Sequence, residues 1–463
     1  MRVVFDLSAE YHGTSINKEL LSGPDLANQI VGVLLRFREE RIAVTDDIEA
    51  MFHQFKVPKE HRNFLRFIWW KDSDPQKDTV DYEMTAHVFG GISSPSYSNY
   101  ALKKTAADNS HQYGSDVTNI LRRNFYVDDM LKSFATTDTA IEIIHNVREL
   151  CRQGGFNLTK FSSNDIEVLR SIPDEYRKEG VKDKDLQIGT FPEDKALGVK
   201  WNIEDTLGFT IKIEDKATTR RGLLSALSSL YIPLGFGAPF LLKGRLIIQQ
   251  LCKNNMNWDE PIDDYTAYEW LKWRNNLATL HDVSIARAIK PKDFGTVTSC
   301  TLHHFSDACE TGYGQSSYIR LVNNKGKVHC SLLIGKSRVA PLKYISIPRL
   351  ELIAATLSIK VSKMIREELD MEIEDDVFWT DSQVVLGYIN SDVRRFKIFV
   401  ANRVQQIRDN SRTEQWHYVS TGDNPADDAS RGLDSKDQDK IKRWFEGPSF
   451  LWNKTPCWSI NEQ

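Results

Sequence analysis

Seven acids in two groups are the residues of this sequence best placed to do chemistry. In RIAVTDDIEAMFHQF an apolar strand (Ile42, Ala43, Val44) runs into Asp46 and Asp47, then a turn carrying Phe52. Eighty-one residues beyond Asp47 comes FYVDDMLKSF, where aromatic and β-branched residues flank Asp128 and Asp129. That pattern predicts a β-hairpin with the acidic pair at its tip. Two carboxylates beside a strand that ends in a third make an oxygen-only set suited to Mg²⁺, which keeps waters and substrate phosphates in its shell. Two such ions about 3.5–4 Å apart would serve a phosphoryl transfer. A lone acidic pair is ordinary turn chemistry; within Tyr-Val-Asp-Asp it is a far more specific signal.

The second group is spread over HHFSDACETGYGQSSYIRL, IPRLELIAATLSIKVSKMIREEL, VFWTDSQVVLGYI and VSTGDNPADDASRG. Asp307 ends an alternating strand, and Glu351 lies in the first turn of a helix opened by Pro348. Asp381 ends another strand, with Ser382 as a helix N-cap. Asp423, Asp427 and Asp428 precede or open a further helix. Any one of these is explained by capping and the helix dipole. Four in the order Asp–Glu–Asp–Asp, separated by 44, 30 and 46 residues, are not.

The elements that must position these acids fall into three stretches. Residues 1–204 alternate short apolar strands with amphipathic helices. Pro24 is expected to open one helix, with Leu26, Ile30, Val33, Leu34 and Phe37 on its buried face. The charged run Asp165–Asp185 is expected as loop or solvated helix. Residues 205–295 read as helical from Thr218 to Ala288, with Leu223, Leu227, Leu230, Trp270, Trp273, Leu277 and Leu280 at core spacing and YIPLGFGAPF as a break. Residues 296–433 carry a new rhythm of strands and helices from near Val297. The fold class expected is a multidomain mixture of α/β and α+β.

Composition bounds the rest. At 463 residues the chain holds several domains, and 60 Lys+Arg against 64 Asp+Glu, net −4, excludes a globally basic protein. A hydrophobic fraction of 41% excludes wholesale disorder. The longest apolar runs, such as Ile30–Leu35 and Phe236–Leu242, fall short of the ~20 residues of a membrane span. The opening MRVVFDLSAEYHG has no signal- or transit-peptide character, and six cysteines without a CxxC give no disulfide framework. An intracellular protein, cytoplasmic or nuclear, with reduced thiols is expected. His303 and His304 near Cys300 and Cys309 fit no zinc spacing, so a strand is the better reading.

With these residues on the page, the chain resembles the Pol polyprotein of BEL/Pao LTR retrotransposons along nearly its whole length. The resemblance implies a reverse transcriptase palm over 1–204, a helical thumb/connection over 205–295, and a ribonuclease H-like domain over 296–433. It implies Asp47, Asp128 and Asp129 as palm metal ligands, and Asp307, Glu351, Asp381 and Asp427 as those of the ribonuclease, with two Mg²⁺ (or Mn²⁺) per site. Phe52 corresponds to the aromatic gate against ribonucleotides. HVFGGISSPSYSNYAL supplies Gly90, Gly91, Ser94 and Pro95 near nucleotide and template; Tyr126 opens the Tyr-Val-Asp-Asp motif. GGFNLTKFSSN supplies Lys160 near pyrophosphate, ALGVKWN a primer-gripping strand, and RVVFD the triphosphate contact Arg2. The implied partners are an RNA template, a DNA primer, an RNA–DNA hybrid and dNTPs. His417, in QWHYVST, is read as a strand residue rather than a mobile catalytic histidine. The family is sometimes labelled a peptidase, but no Asp-Thr/Ser-Gly triplet occurs. Residues 434–463 are expected to be a linker toward an integrase that is absent. Because the chain starts at the RVVFD strand, hybrid cleavage is expected to be more robust than DNA synthesis. The alternative is an impaired or domesticated remnant that at most binds nucleic acid.

Overall fold

The computed structural model describes residues 5–180, 194–202, 204–208, 216–278, 284–391 and 395–455. The chain forms two compact units, one of residues 1–33 and 42–192 and one of residues 34–41 and 193–463. Both mix helices with sheets, as expected, and no described helix is long and apolar enough to cross a membrane.

In the first unit β1 (Ile42–Ile48) lies inside an antiparallel sheet. Before its partners in the chain come the hairpin strands β2 (Arg66–Trp70) and β3 (Thr79–Glu83). The partners are β4 (Phe125–Tyr126), β5 (Asp129–Phe134) and β6 (Leu158–Ser163), in the order β4-β5-β1-β6. Helices α1 (Ser94–Asp108), α2 (Ser110–Arg123) and α3 (Thr137–Gln153) complete the core. Ile42, Val44 and Ile48 alternate along β1 and join Ile120, Ile144 and Val147 in it. Helix α3 starts where Thr136 accepts a hydrogen bond from the Thr139 N–H, and it buries Ala140, Ile144, Val147 and Cys151 along one stripe.

Pro24 does not open a helix: Ser22–Gln29 has no regular structure, and the helix runs Ile30–Phe37. Side-chain hydrogen bonds, one local and two long-range, hold the segment instead. Lys103 donates to the Leu26 carbonyl at 2.8 Å, Asn28 donates to that of Phe125 at 2.8 Å, and Asp25 turns back on the Ala27 N–H. The charged run after Asp165 begins as a short helix, Ile166–Arg170, capped by Asp165, and its part beyond residue 180 lies outside the described residues.

The second unit begins with β7 (Asp194–Ala196), β8 (Val199–Trp201) and β9 (Thr206–Gly208), sheeted with β10 (Ser284–Ala286). Helices α4 (Arg220–Ser228), α5 (Ala238–Lys253) and α6 (Asp264–Ala278) follow β9 in the chain. They bury Leu223, Trp270, Trp273 and Leu277 as the spacing predicts; Leu280 lies outside the described residues. Next comes a five-stranded sheet of β11 (Val297–Ala308), β12 (Gly312–Asn323), β13 (Val328–Val339), β14 (Asp375–Thr380) and β15 (Trp416–Tyr418). Its order is β13-β12-β11-β14-β15; the hairpin pairs are antiparallel, while β14 runs parallel to both neighbours. With it go α7 (Ile347–Glu368), α8 (Gln383–Ile389), α9 (Ile398–Arg408) and α10 (Ala426–Arg431).

A polar network locks this sheet to α7. The His304 ring on β11 lies 2.8 Å from the Ser317 hydroxyl and 3.0 Å from Asp376, which also accepts from Ser362 and Arg366. Burial works to raise the Asp376 pKa, yet these donors hold it down at about 2. His303 and His304 are thus buried strand residues. The stretch read as a linker is instead built into the unit over its described residues. Helix α11 (Gln438–Glu446) buries Trp444, whose ring N–H donates to the Phe236 carbonyl at 2.7 Å. Arg320 then grips the Leu451 carbonyl at 2.8 Å.

Candidate functional site

In the first unit the β1–β5 register sets Asp47 opposite Asp129, while Asp128 sits in the turn after Tyr126, which pairs with Asp129. The Asp128 carbonyl accepts the Ile48 N–H at 2.8 Å, tying the hairpin to β1. Burial raises the Asp128 pKa, the neighbouring Asp47 charge adds to this, and Lys160 opposes it. Lys160 places its ammonium 2.9 Å from Asp47. Three non-glycine residues at this site, Ala50, Val127 and Lys160, have φ of 48°, 56° and 56°. Such conformations persist only where surrounding contacts over-determine them, and they concentrate at working sites.

Adjacent Asp46 has the opposite fate. It shares the core-facing parity of Val44 and Ile48, is buried, and leaves both oxygens without a hydrogen-bond partner. Burial first, then the charges of Asp47 and Asp129, push its pKa well up, which favours its uncharged form. Phe52 contacts Phe89 ring to ring at 5.6 Å, next to Gly90 and Gly91. Gly90 holds φ 98°, and the Gly91 carbonyl accepts the N–H of Ser94, where α1 begins, at 3.0 Å, with Pro95 next in its first turn. Arg2 lies outside the described residues.

In the second unit four different elements each deliver one acid. Asp307 is the penultimate residue of β11, and Asp381 directly follows β14. Glu351 lies in the second turn of α7 rather than the first, because the helix starts at Ile347. Asp427 is in the first turn of α10. Burial foremost drives the Asp307 pKa up, to about 7; the Ser430 hydrogen bond opposes this, and Asp381 and Asp427 reinforce it. Burial likewise raises Glu351, with Asp381 adding to it. The four acids therefore feel one another.

Each acid is held by a donor. Ser430 donates to Asp307, Ser382 to Glu351, Thr421 to Asp381 at 2.8 Å, and Arg431 pairs with Asp427. Of these the sequence reading contained only Ser382, which does cap α8 through the Val385 N–H. Ser430 and Arg431 stand three and four residues after Asp427, a helical spacing that could have flagged them. Thr421 carried no local signal. Close packing brings α10 in: a Cβ on Gly314 would lie 2.5 Å from the Ala429 Cβ, and one on Gly312 would lie 2.5 Å from the Ser430 carbonyl. Asp428 turns away into an ion pair with Arg443 at 2.7 Å, Asp423 is exposed, and His417 is half-buried in β15 against Trp379.

Among the described residues no three acid, imidazole or thiol side chains converge into a ready-made cage. All-oxygen donors, crowded and mutually repelling, fit a hard divalent cation that keeps waters and phosphates as its other ligands. They suit no soft metal.

Residues 219–382 match the family "Pao retrotransposon-like RNaseH-like domain", a span that includes Asp307, Glu351 and Asp381 and stops short of Asp427. No curated protein matches the sequence. Among solved structures the chain is similar to the foamy viral protease-reverse transcriptase dRH in complex with dsDNA, with TM-score 0.55 and 16% identity over 91% of this chain and 63% of that one. It is also similar to the foamy viral protease-reverse transcriptase in complex with RNA/DNA hybrid, with TM-score 0.52 and 15% identity over 88% of this chain and 48% of that one. A further dsDNA complex of that protein gives TM-score 0.51 and 15% identity over 87% and 72%. The chain thus spans under two thirds of the length of the first two, and at these identities the likeness is one of fold. By the family match over residues 219–382 and the reverse transcriptase fold of the whole, the chain is similar to a BEL/Pao-type Pol segment carrying a Pao retrotransposon-like RNaseH-like domain.

Proposed function

We propose that this chain is an RNA-directed DNA polymerase with ribonuclease H activity. The polymerase palm would occupy 1–204, the thumb/connection 205–295, and the ribonuclease 296–433. The observation that supports the reading is that four elements each deliver an acid within reach of another's charge, Asp307 feeling Asp381 and Asp427 and Glu351 feeling Asp381, with Asp307 pushed up to about 7. So costly a crowd of carboxylates is retained where charge compensation arrives with a ligand.

Asp47, Asp128 and Asp129 would hold Mg²⁺ in the palm, and the other four acids would hold it in the ribonuclease. Bound there, magnesium would lower the pKa of a hydroxyl or water and offset charge on the reacting phosphate. The protein's own part is positioning. Ser430, Ser382, Thr421 and Arg431 fix the acids, so little reorganisation remains when substrate arrives. Burial and the neighbouring carboxylates hold the Asp307 carboxyl up at about 7, and a bound cation would relieve that charge crowding. In the palm, Lys160 would stabilise a departing pyrophosphate, and Phe52, beside Phe89, would crowd a ribose 2′-hydroxyl. The partners are a primed RNA template, dNTPs and an RNA–DNA hybrid, whose shape and 2′-hydroxyls mark the strand to be cut.

The two sites test separately. Asp128→Asn should abolish primer extension and spare hybrid cleavage in Mg²⁺, and Asp381→Asn should do the reverse. Loss of both activities from either folded variant sinks the two-site assignment.

A further inference from the structure

A cavity of about 300 Å³ opens in the second unit among α7, α9 and the β12–β13 hairpin. Helix α7 contributes Lys360, α9 contributes Asn402, Arg403 and Gln406, and the hairpin contributes Tyr313 and Arg338, which are cross-strand partners. Lys360 lies nine residues beyond Glu351. At 3.6 residues per turn that is about two and a half turns, so the cavity sits on the opposite side of α7 from the acid cluster.

Its charge is one-sided. Among the described residues, Arg338, Lys360 and Arg403 have no carboxylate within 4.0 Å. Arg403 is instead fixed by its own helix: its guanidinium lies 3.6 Å over the Phe399 ring and donates to the Phe399 carbonyl at 3.0 Å. Nearby Lys336 and Arg245 both have lowered pKa values, from burial first and then from the Arg338 charge. Three unpaired cations around one cavity repel one another, and a multiply charged anion relieves all three at once. Guanidinium forks match phosphate oxygens in pairs, and an ammonium adds a point charge. The amides of Asn402 and Gln406 can read sugar or base edges, and a tyrosine ring offers a stacking face of sequence-tolerant kind.

We propose that this cavity is a nucleoside-phosphate site, separate from both acid clusters, with the phosphate on Arg338, Lys360 and Arg403 and the base against Tyr313. The ligand is a free nucleotide or the phosphorylated end of a nucleic-acid strand. The site stands independently of the two activities proposed above.

Calorimetry on the full chain in EDTA tests it, since no catalysis is involved and the outcome does not depend on either active site working. Adenosine 5′-monophosphate should bind at least tenfold more tightly than adenosine or inorganic phosphate. It should also shield Arg338 and Arg403 from phenylglyoxal, read by peptide mass spectrometry. Lys360→Gln and Arg403→Gln should each weaken binding about tenfold; exposed Lys360 keeps the test decisive if the Arg403 variant fails to fold. A 5′-phosphorylated dinucleotide that binds as tightly identifies a strand end, and one that is excluded identifies a free nucleotide. Equal binding of adenosine, equal binding of inorganic phosphate, or unchanged affinity in the folded Lys360 variant would each overturn the proposal.

Discussion

Replacing Asp307 by Asn should stabilise the metal-free protein, and the gain should grow with pH. Asp307 is 4% exposed, and its carboxyl is pushed from an ordinary value of 3.8 to about 7. A carboxyl with a raised pKa contributes stability that is complete below 3.8 and is lost as pH climbs to about 7, because the unfolded chain ionises first. At about 1.4 kcal/mol per pH unit the full loss is about 4 kcal/mol, of which about 3 accrues above pH 5. Asparagine removes that loss and still accepts from Ser430, but its amide must find a partner, which costs about 1–3 kcal/mol. The net expected at pH 8 in EDTA is about 1–3 kcal/mol, a rise of a few degrees in Tm for a unit this size. At pH 5 the variant should be level with the parent or below it. Thermal melts followed by circular dichroism at both pH values provide the check. Added Mg²⁺ should raise the parent's Tm and leave the variant's unmoved, because a ligand stabilises only the state that binds it. A variant that is less stable at pH 8, or a difference that ignores pH, refutes the account of Asp307 as an acid strained first by burial and then by its neighbours.

Three further outcomes follow from other contacts. Asp376→Ala strands the buried His304 and takes a partner from Arg366, so it should cost about 3–5 kcal/mol in urea unfolding at pH 7. Because Asp376 is held at about 2, its contribution is present above 3.8 and fades below it, and the gap to the parent should narrow near pH 2. Gly314→Ala would drive a methyl into Ala429, push α10 off β12, lower stability by about 1–3 kcal/mol, and depress hybrid cleavage far more than primer extension. Phe52→Val should raise ribonucleotide over deoxyribonucleotide incorporation in primer-extension assays; unchanged discrimination in an active enzyme returns Phe52 to a packing role with Phe89.

Local patterns carried much of this molecule. The hairpin at Tyr126–Asp129, the Ser382 cap and the long helix with Pro348 in its first turn are written in contiguous residues, because each depends on bonds within one or two turns. The tryptophans at 270 and 273 read as core from spacing alone, and they are. What chain neighbours could not decide was which member of an acidic pair does what. Asp46 and Asp47 differ only in strand parity, yet one is entombed with Val44 and Ile48 while the other faces Asp129. Asp427 and Asp428 differ in whether Arg443, 15 residues beyond Asp428, can reach them. Pro24 carries a helix-start signal that is overruled where Lys103 binds the Leu26 carbonyl and the Asn28 side chain donates to the carbonyl of distant Phe125. The tail beyond residue 437 gains its place from distant partners, as where the Phe236 carbonyl accepts from Trp444 across 208 residues of chain. Periodicity records how a segment divides between core and solvent. Which distant donor, glycine or aromatic ring meets it is decided when the sheets and helices close on one another, as where Ser430 and Thr421 come to donate to Asp307 and Asp381.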